Sequence, residues 1–335
     1  MIRISARAWL ACLCLASMAY AVWGQTSQPQ SGLVKIAMVG DVMLAQGPGR
    51  AIRQGADPFH YFAGLLRQHD IRVGNLESVV ATVGRPVPNK IYTFRAHPWV
   101  MPVLKRHFDA LSLANNHMGD FGVEALTQTL GLLDAHGIGR FGAGANLSEA
   151  HKPWIIERHG VKVAFLGYNE FFPRRFEADH DRPGCAWSDD DQVVRDIVWA
   201  RRHWGADVVI PFMHWGVEYE KLASPRQRQL ARLMIDAGAD AVVGTHPHVT
   251  QDIENYRGKP IIYSLGNFVF DGFTKPEELT GWLLSLEVSR QGVQQWRIHT
   301  AHLDARGTPR PVDGGGYRMK SSRAWEVTSG SSSGM

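Results

Sequence analysis

The feature of this chain that most constrains its fold is a regular alternation of short apolar runs with segments of helical spacing. Because most of the apolar runs are nearly continuous in Val, Ile, Leu, Ala and Met, they suit strands that are covered on both faces. Strand–helix alternation at this rate predicts an α/β fold. The predicted strands are residues 35–40, 71–74, 110–114, 162–167, 207–212, 241–244 and 260–264.

The segments between these strands carry apolar residues at steps of three and four, as expected for helices packed on a sheet. Gly205 and Gly238 end two of them, where a left-handed cap residue is expected. Residues 281–302 instead alternate in two runs around Gln291-Gly292, which predicts an antiparallel hairpin. The predicted helices are residues 59–68, 98–106, 122–136, 191–204 and 225–237.

The first 24 residues have the layout of a secretory signal peptide. Arg3 and Arg7 precede an apolar run at 8–23, which at roughly 16 residues is shorter than the about 20 that span a bilayer. We therefore favour cleavage over a retained anchor, which predicts an exported protein of the periplasm or cell surface. Beyond this leader we predict a linker at 25–32, one domain at 33–304 and a flexible tail at 305–335.

Removal of the leader changes the cysteine count and the charge. Cys12 and Cys14 leave with it, so Cys185 stands alone and no disulfide framework forms within one chain. The net charge falls from +4 to +2 because two arginines leave with it. This small excess argues against a nucleic-acid partner.

Polar side chains follow the predicted strands directly. Ligands of open α/β sheets bind outside the carboxyl ends of the strands, and parallel strands bring those ends to one edge. We therefore expect these residues to converge, although Asp41 alone could cap a helix and Asn115-Asn116 could form a turn. The polar residues at strand ends are Asp41, Asn75, Glu77, Asn115, Asn116, His117, Asn169, Glu170, His214, Glu218, His246, His248, Asn267 and Asp271.

The strongest local signal is Gly244-Thr245-His246-Pro247-His248. In extended backbone, residues two apart point to the same side, so His246 and His248 could face one ion. Pro247 fixes its own φ and stiffens the pair. The alternative is a surface turn that happens to hold two histidines.

Six of these residues form a candidate ligand set of carboxylate, amide and imidazole, which suits Mn, Fe or Zn. Three histidines disfavour calcium. Six ligands are too many for one tetrahedral zinc with an open position. They suit two divalent ions about 4 Å apart, which activate a water and bind the displaced oxygen. The candidate ligands are Asp41, Glu77, Asn116, His214, His246 and His248.

His117 is a candidate general acid, and Asp120 lies three residues later, where it could orient the ring. A structural histidine is the alternative. Two loop segments, 90–95 and 171–175, are basic and aromatic, and their arginines could hold carboxylates or phosphates. Solvated loop charges explain these segments equally well. The candidate substrate-binding residues are Asn75, Asn115, Arg95, Glu218 and Asn267.

Six motifs, in order between Leu33 and Asp304, together resemble the CapA family of capsule and poly-γ-glutamate synthesis proteins. They are Gly40-Asp41-Val42-Met43-Leu44, Gly74-Asn75-Leu76-Glu77, Ala114-Asn115-Asn116-His117, His214-Trp215-Gly216-Val217-Glu218-Tyr219, Gly244-Thr245-His246-Pro247-His248-Val249 and Tyr263-Ser264-Leu265-Gly266-Asn267-Phe268.

That family resembles the calcineurin-like metallophosphoesterases, which implies a four-layer α/β/β/α sandwich of two mixed sheets flanked by helices. The resemblance also implies a catalytic-acid role for His117 and metal contacts from five residues. Met43 departs from the usual histidine and Asn75 from the usual bridging aspartate, while Glu77 lies close enough in sequence to compensate. The implied metal contacts are Asp41, Asn116, His214, His246 and His248.

These observations favour an exported CapA-type protein of capsule or poly-γ-glutamate biosynthesis or export with a metal-dependent hydrolase-like site. Its expected partners are an anionic polymer, such as poly-γ-glutamate or capsule material, and membrane-bound synthesis or export proteins. The sequence is compatible with a catalytic site and with one that only binds. One alternative is a non-catalytic scaffold of the export machinery, and the other is a secreted metallophosphoesterase.

Overall fold

The computed structural model describes residues 32–312, 317–320 and 326–327, and all statements below concern this part of the chain. The predicted signal peptide and nearly all of the predicted linker lie outside it. The helices are α1 Gln46–Arg53, α2 Ala63–Leu66, α3 Met101–His107, α4 Gly122–Ala135, α5 Leu147–Ala150, α6 Asp190–Arg202 and α7 Pro225–Asp236. Short 3-10 turns occur at Pro98–Val100 and Arg174–Phe176.

The strands are β1 Val34–Val42, β2 Ile71–Leu76, β3 Val79–Val80, β4 Arg95–Ala96, β5 Ala110–Ser112, β6 Gly139–Phe141, β7 Ala143–Gly144, β8 Trp154–Arg158, β9 Val161–Asn169, β10 Gly184–Cys185, β11 Val208–His214, β12 Val242–Thr245, β13 Ile253–Tyr256, β14 Lys259–Ile262, β15 Asn267–Val269, β16 Thr280–Ser289, β17 Gly292–Leu303, β18 Pro309–Pro311, β19 Tyr317–Lys320 and β20 Glu326–Val327.

Most strands join two mixed sheets. The first has the order β20-β19-β17-β16-β1-β2-β5-β6, with β15 beside β1 and β18 beside β17. The second has the order β13-β14-β12-β11-β9-β8. Parallel pairs form the centre of each sheet, namely β1 with β2 and β11 with β9 and β12. Their carboxyl ends are where the predicted polar residues lie.

Apolar side chains on both faces of the strands produce three buried layers. Ile36 and Phe165 belong to the layer between the two sheets. Val39, on the other face of β1, packs in a layer with α1 to α4. Val209 packs in the third layer with α6 and α7. The order is helix, sheet, sheet, helix, which confirms the predicted fold class.

All seven predicted strands and the hairpin of β16 and β17 are present, but the predicted helix at 59–68 is wrong. Only Ala63–Leu66 is helical there. The preceding turns bury Phe59 and Phe62, whose ring centroids lie 6.3 and 5.1 Å from that of Phe268. Tertiary packing of these rings therefore overrides the local helical pattern.

Within the predicted tail, 305–335, the strand β18 pairs with β17, and β19 and β20 extend the same sheet edge. The rest of that prediction falls on residues outside the described part. None of the described helices has the length and apolar character needed to cross a bilayer.

The N-terminus of α7 offers a first testable prediction. Ser224 Oγ accepts a hydrogen bond from the Gln227 amide at 3.2 Å, and Gln227 Oε1 accepts from the Ser224 amide at 2.9 Å. Because this capping box satisfies two otherwise unpaired amides, Ser224→Ala is expected to lower the free energy of unfolding by about 1 kcal/mol. Urea denaturation measures the change, and an unaltered midpoint would contradict the capping role.

Candidate metal centre

The candidate centre lies at the carboxyl ends of parallel strands from both sheets. In the first sheet, β1 carries Asp41 and β2 carries Asn75, with Glu77 directly after it. In the second, β11 ends at His214, and His246 follows β12. All five side chains are buried. The structure therefore brings together residues that are up to about two hundred positions apart in sequence, as the strand-end argument expects.

Glu77 lies in the middle of this group. Its side chain is 0% exposed, and neither carboxylate oxygen has a hydrogen-bond partner among the described residues. Its Oε1 is 3.8 Å from Nε2 of both His117 and His214, and 3.7 Å from Nε2 of His248. Burial, and then the charge of Asp41, raise the pKa of Glu77 well above its ordinary value. A buried carboxylate without partners is costly, so this geometry fits a cation between the four side chains.

His214 contacts both sheets. Its Nδ1 is 3.1 Å from Thr245 Oγ1 and 3.3 Å from Asn75 Nδ2. Its Nε2 is 2.8 Å from Asn116 Oδ1 and 3.1 Å from His246 Nδ1. Burial, reinforced by neighbouring histidines, holds the pKa of His214 well below its ordinary value and lowers the pKa of His246 to about 3. Both imidazoles are therefore neutral, the form that binds metal.

The prediction that His246 and His248 lie in extended backbone is wrong. Both have positive φ, +98° and +56°, and the chain bends between them. Non-glycine residues at positive φ are strained and cluster at functional sites. The bend lets the His246 amide donate to Asp41 Oδ2 at 3.3 Å. Both rings nevertheless face a common point, because their ligand atoms and that of Glu218 lie within 4.8 Å of one another.

Asp41 and His248 contact each other across the centre. Asp41 Oδ1 accepts from Asn75 Nδ2 at 2.8 Å, and Oδ2 lies 3.4 Å from His248 Nδ1. Burial raises the pKa of Asp41, but the hydrogen bond and charge of His248 outweigh it, so that this pKa is lowered overall. His248 Nδ1 also lies 2.9 Å from Asn267 Oδ1, which leaves Nε2 directed at Glu77. Such a second contact fixes the ring of a metal-binding histidine.

His117 faces the same space from the first sheet. Its Nδ1 lies 2.6 Å from Asp120 Oδ2, so Asp120 orients the ring as expected. Asp120 is itself paired with Lys90 and accepts from the Phe94 amide at 2.7 Å. Burial, opposed by Asp120, lowers the pKa of His117 to about 4, so the imidazole is neutral near pH 7. With Nδ1–H donating to Asp120, Nε2 presents its lone pair to the centre.

The predicted substrate-binding residues divide into three groups. Asn75, Asn115 and Asn267 are buried and engaged with other site residues, for example Asn115 Nδ2 with Asn75 Oδ1 at 3.0 Å. Glu218 joins the two histidines of the bend. Arg95 is not among the converging residues, because its guanidinium donates to the carbonyls of residues 83 and 84 and lies 4.3 Å over the Phe121 ring.

The donor set fits divalent metal ions. Three groups have ligand atoms within 4.8 Å of one another, and Glu77 belongs to two of them, which suits a carboxylate shared between two ions. The sequence did not indicate Glu218 as a ligand, although its position four residues after His214 in one loop was the available signal. The three groups are Asp41, Glu77 and His248; Glu77, His214 and His246; and Glu218, His246 and His248.

Comparison with known proteins identifies the family. Residues 35–272 match the model of the bacterial capsule synthesis protein PGA_cap. The chain is 34% identical over 313 residues to the PGA biosynthesis protein CapA of Bacillus subtilis, covering 89% of this chain and 81% of that protein. It is 32% identical over 286 residues to the capsule biosynthesis protein CapA of Bacillus anthracis, covering 83% and 69%.

A solved structure, the NAD nucleotidase of Haemophilus influenzae, overlaps 84% of this chain and 54% of that chain, with 13% identity and a TM-score of 0.45. The family match and the two relatives confirm the resemblance to CapA that the six motifs indicated. The chain belongs to the bacterial capsule synthesis protein PGA_cap family.

Proposed function

We propose that this chain is an exported protein of capsule or poly-γ-glutamate biosynthesis whose buried centre binds two divalent ions and hydrolyses a bond in the anionic polymer. The observation that carries this proposal is Glu77, a fully buried carboxylate that faces three imidazoles and has no hydrogen-bond partner in the part of the chain that the structure describes. The names of the Bacillus relatives support the polymer context. The leader predicted at residues 1–24 supports export.

The chain's own groups would divide the chemistry as follows. Bound ions, of a kind such as Mn, Fe or Zn, supply Lewis acidity and lower the pKa of a water. Asp41 is held ionised and burial holds His214 and His246 neutral, whereas at His248 burial is outweighed by Asp41, which raises the pKa of that ring. His117, oriented by Asp120, exchanges a proton at Nε2 with the reacting group. The residues that would hold the ions are Asp41, Glu77, Asn116, His214, Glu218, His246 and His248.

Removal of one ligand tests the proposal. His246→Ala is expected to lower Mn-dependent shortening of poly-γ-glutamate by at least about 100-fold, since loss of even an indirect contact to a metal costs 10- to 100-fold. The metal content of the purified protein should fall in parallel. His180→Ala is the matched control, because that side chain is 92% exposed.

Three outcomes separate the alternatives. Full polymer binding by His246→Ala with no metal in either protein would favour a non-catalytic scaffold. Mn-dependent hydrolysis of bis-(4-nitrophenyl) phosphate with no effect on poly-γ-glutamate would favour a secreted phosphoesterase. Cleavage of poly-γ-glutamate alone supports the proposed polymer hydrolase.

A further inference from the structure

A cavity of about 470 Å³ opens beside the candidate centre. Two loops form its walls, one at residues 88–92 and one at 171–176, and they overlap the basic and aromatic segments 90–95 and 171–175 of the sequence. Asn116, His117 and Glu218 line its inner end. A molecule in this cavity would therefore touch the group that we propose exchanges a proton.

The second loop, at residues 171–176, packs against the turn that carries His117. A methyl group added at Gly119 would lie 1.7 Å from the Phe176 ring, so that ring occupies the space a side chain would need. Lys90 Nζ lies 5.4 Å over the same ring. The loop is thus held at a fixed position relative to His117, and its other side chains are placed with it.

Lys90, which lines the cavity, and Arg174, which precedes Arg175 in the second loop, are already paired. Lys90 donates to the Asn116 carbonyl at 2.7 Å and pairs with Asp120. Arg174 pairs with Glu177 and Asp189 and lies 4.7 Å over a tryptophan ring. These cations hold the walls together and are not free to bind a ligand.

Arg175 differs from both. It is exposed and lines the cavity. Among the described residues its guanidinium has no hydrogen bond, ion pair or ring contact. A guanidinium presents two parallel N–H groups that match a carboxylate, and one positive charge balances the single negative charge of a carboxylate. The apolar walls favour methylene groups, since Ile91 and Tyr92 are 88% and 67% exposed beside it.

We propose that Arg175 is a specificity-determining residue that binds a free carboxylate of the substrate. The substrate is a chain that carries carboxylates and is rich in methylene groups, and it lies in the cavity. This proposal rests on the proposed function, because it assigns the substrate class of the same centre. A γ-linked glutamyl chain has the required chemistry, a free carboxylate on each unit and methylene groups in the backbone. Arg95, which the sequence suggested, is replaced in this role by Arg175.

Binding of a γ-linked glutamate pentamer to the whole protein, measured by isothermal titration with Mn present, tests the proposal. Arg175→Gln is expected to weaken binding about 10- to 100-fold, the range expected for hydrogen bonds to a charged group. Arg175→Lys should recover part of the loss, since it keeps the charge and loses the paired geometry. Arg182→Gln is the matched control, an arginine 54% exposed on the same stretch of chain.

Four outcomes would overturn the proposal. They are unchanged binding by Arg175→Gln, equal binding of a γ-linked glutamine pentamer, no pentamer binding by the unaltered protein, and Arg175-dependent binding of a phosphodiester alone. A thermal shift on adding Mn is measured for every variant. If Mn does not raise the melting temperature of the unaltered protein, the proposed metal centre is wrong. If Mn raises it but pentamer binding does not depend on Arg175, only the role of Arg175 is wrong.

Discussion

Glu77→Gln is expected to raise the stability of the metal-free protein and to abolish its stabilisation by metal. Without metal, the substitution replaces a fully buried carboxyl group, whose ionised form is disfavoured by burial and by the charge of Asp41, with a neutral amide, so the free energy of unfolding should increase at pH values above the ordinary pKa of glutamate. With metal at 100 times its dissociation constant, the unaltered protein should gain about 2.7 kcal/mol, or about 5 °C in melting temperature. The variant should gain less than about 1 °C.

Higher stability without metal, combined with the loss of stabilisation by metal, distinguishes a metal ligand from a residue that only stabilises the fold. If Glu77 merely stabilised the fold, its substitution would lower the melting temperature without metal. Glu157→Gln, at an exposed position of β8, is the matched control and should change neither value. A melting temperature of Glu77→Gln that rises with Mn as much as that of the unaltered protein would contradict the assignment.

Gly40→Ala is expected to prevent stable folding. Its added methyl group would lie 1.9 Å from the Gly266 carbonyl oxygen, a backbone atom that cannot rotate away as the end of a side chain can. This close approach lets the Asp41 amide donate to that carbonyl at 3.0 Å and places Asp41 opposite Asn267. We expect a loss of more than about 3 kcal/mol of unfolding free energy, at the upper end for overpacking.

A glycine in open space provides the control. Gly131 lies within α4, and a methyl group added there meets nothing within 4 Å. Gly131→Ala should therefore stabilise the protein by about 0.5–1 kcal/mol, since alanine is the better helix former. Denaturant unfolding of both variants tests the pair, and soluble Gly40→Ala with an unchanged midpoint would show that β1 and β15 do not approach so closely.

The sheet architecture was accessible from sequence because its signals are local. Continuous apolar runs such as 162–167 and 207–212 indicate buried strands without reference to the rest of the chain. Parallel strands then bring their carboxyl ends to one edge of a sheet, so the approach of Asp41 and Glu77 follows from strand direction. The approach of His214 also requires the packing of the second sheet on the first. The six motifs indicated the family to which the chain belongs, and the comparisons confirm it.

The finer features depend on contacts that are distant in sequence. The bend at His246 and His248 arises where the His246 amide donates to Asp41, about two hundred residues away, and no local pattern predicts it. Arg95 and Arg175 are equally basic in sequence. Only the fold shows that Arg95 is engaged with carbonyls of residues 83 and 84, while Arg175 lines the cavity.

Anomalous diffraction from crystals grown with Mn tests most directly whether these side chains share a cation. We expect anomalous peaks between Glu77, His214 and the 246–248 bend, with ligand oxygens and nitrogens about 2.0–2.3 Å from the ion. A well-ordered centre with no peak beside Glu77, or peaks confined to exposed acidic residues, would contradict the account.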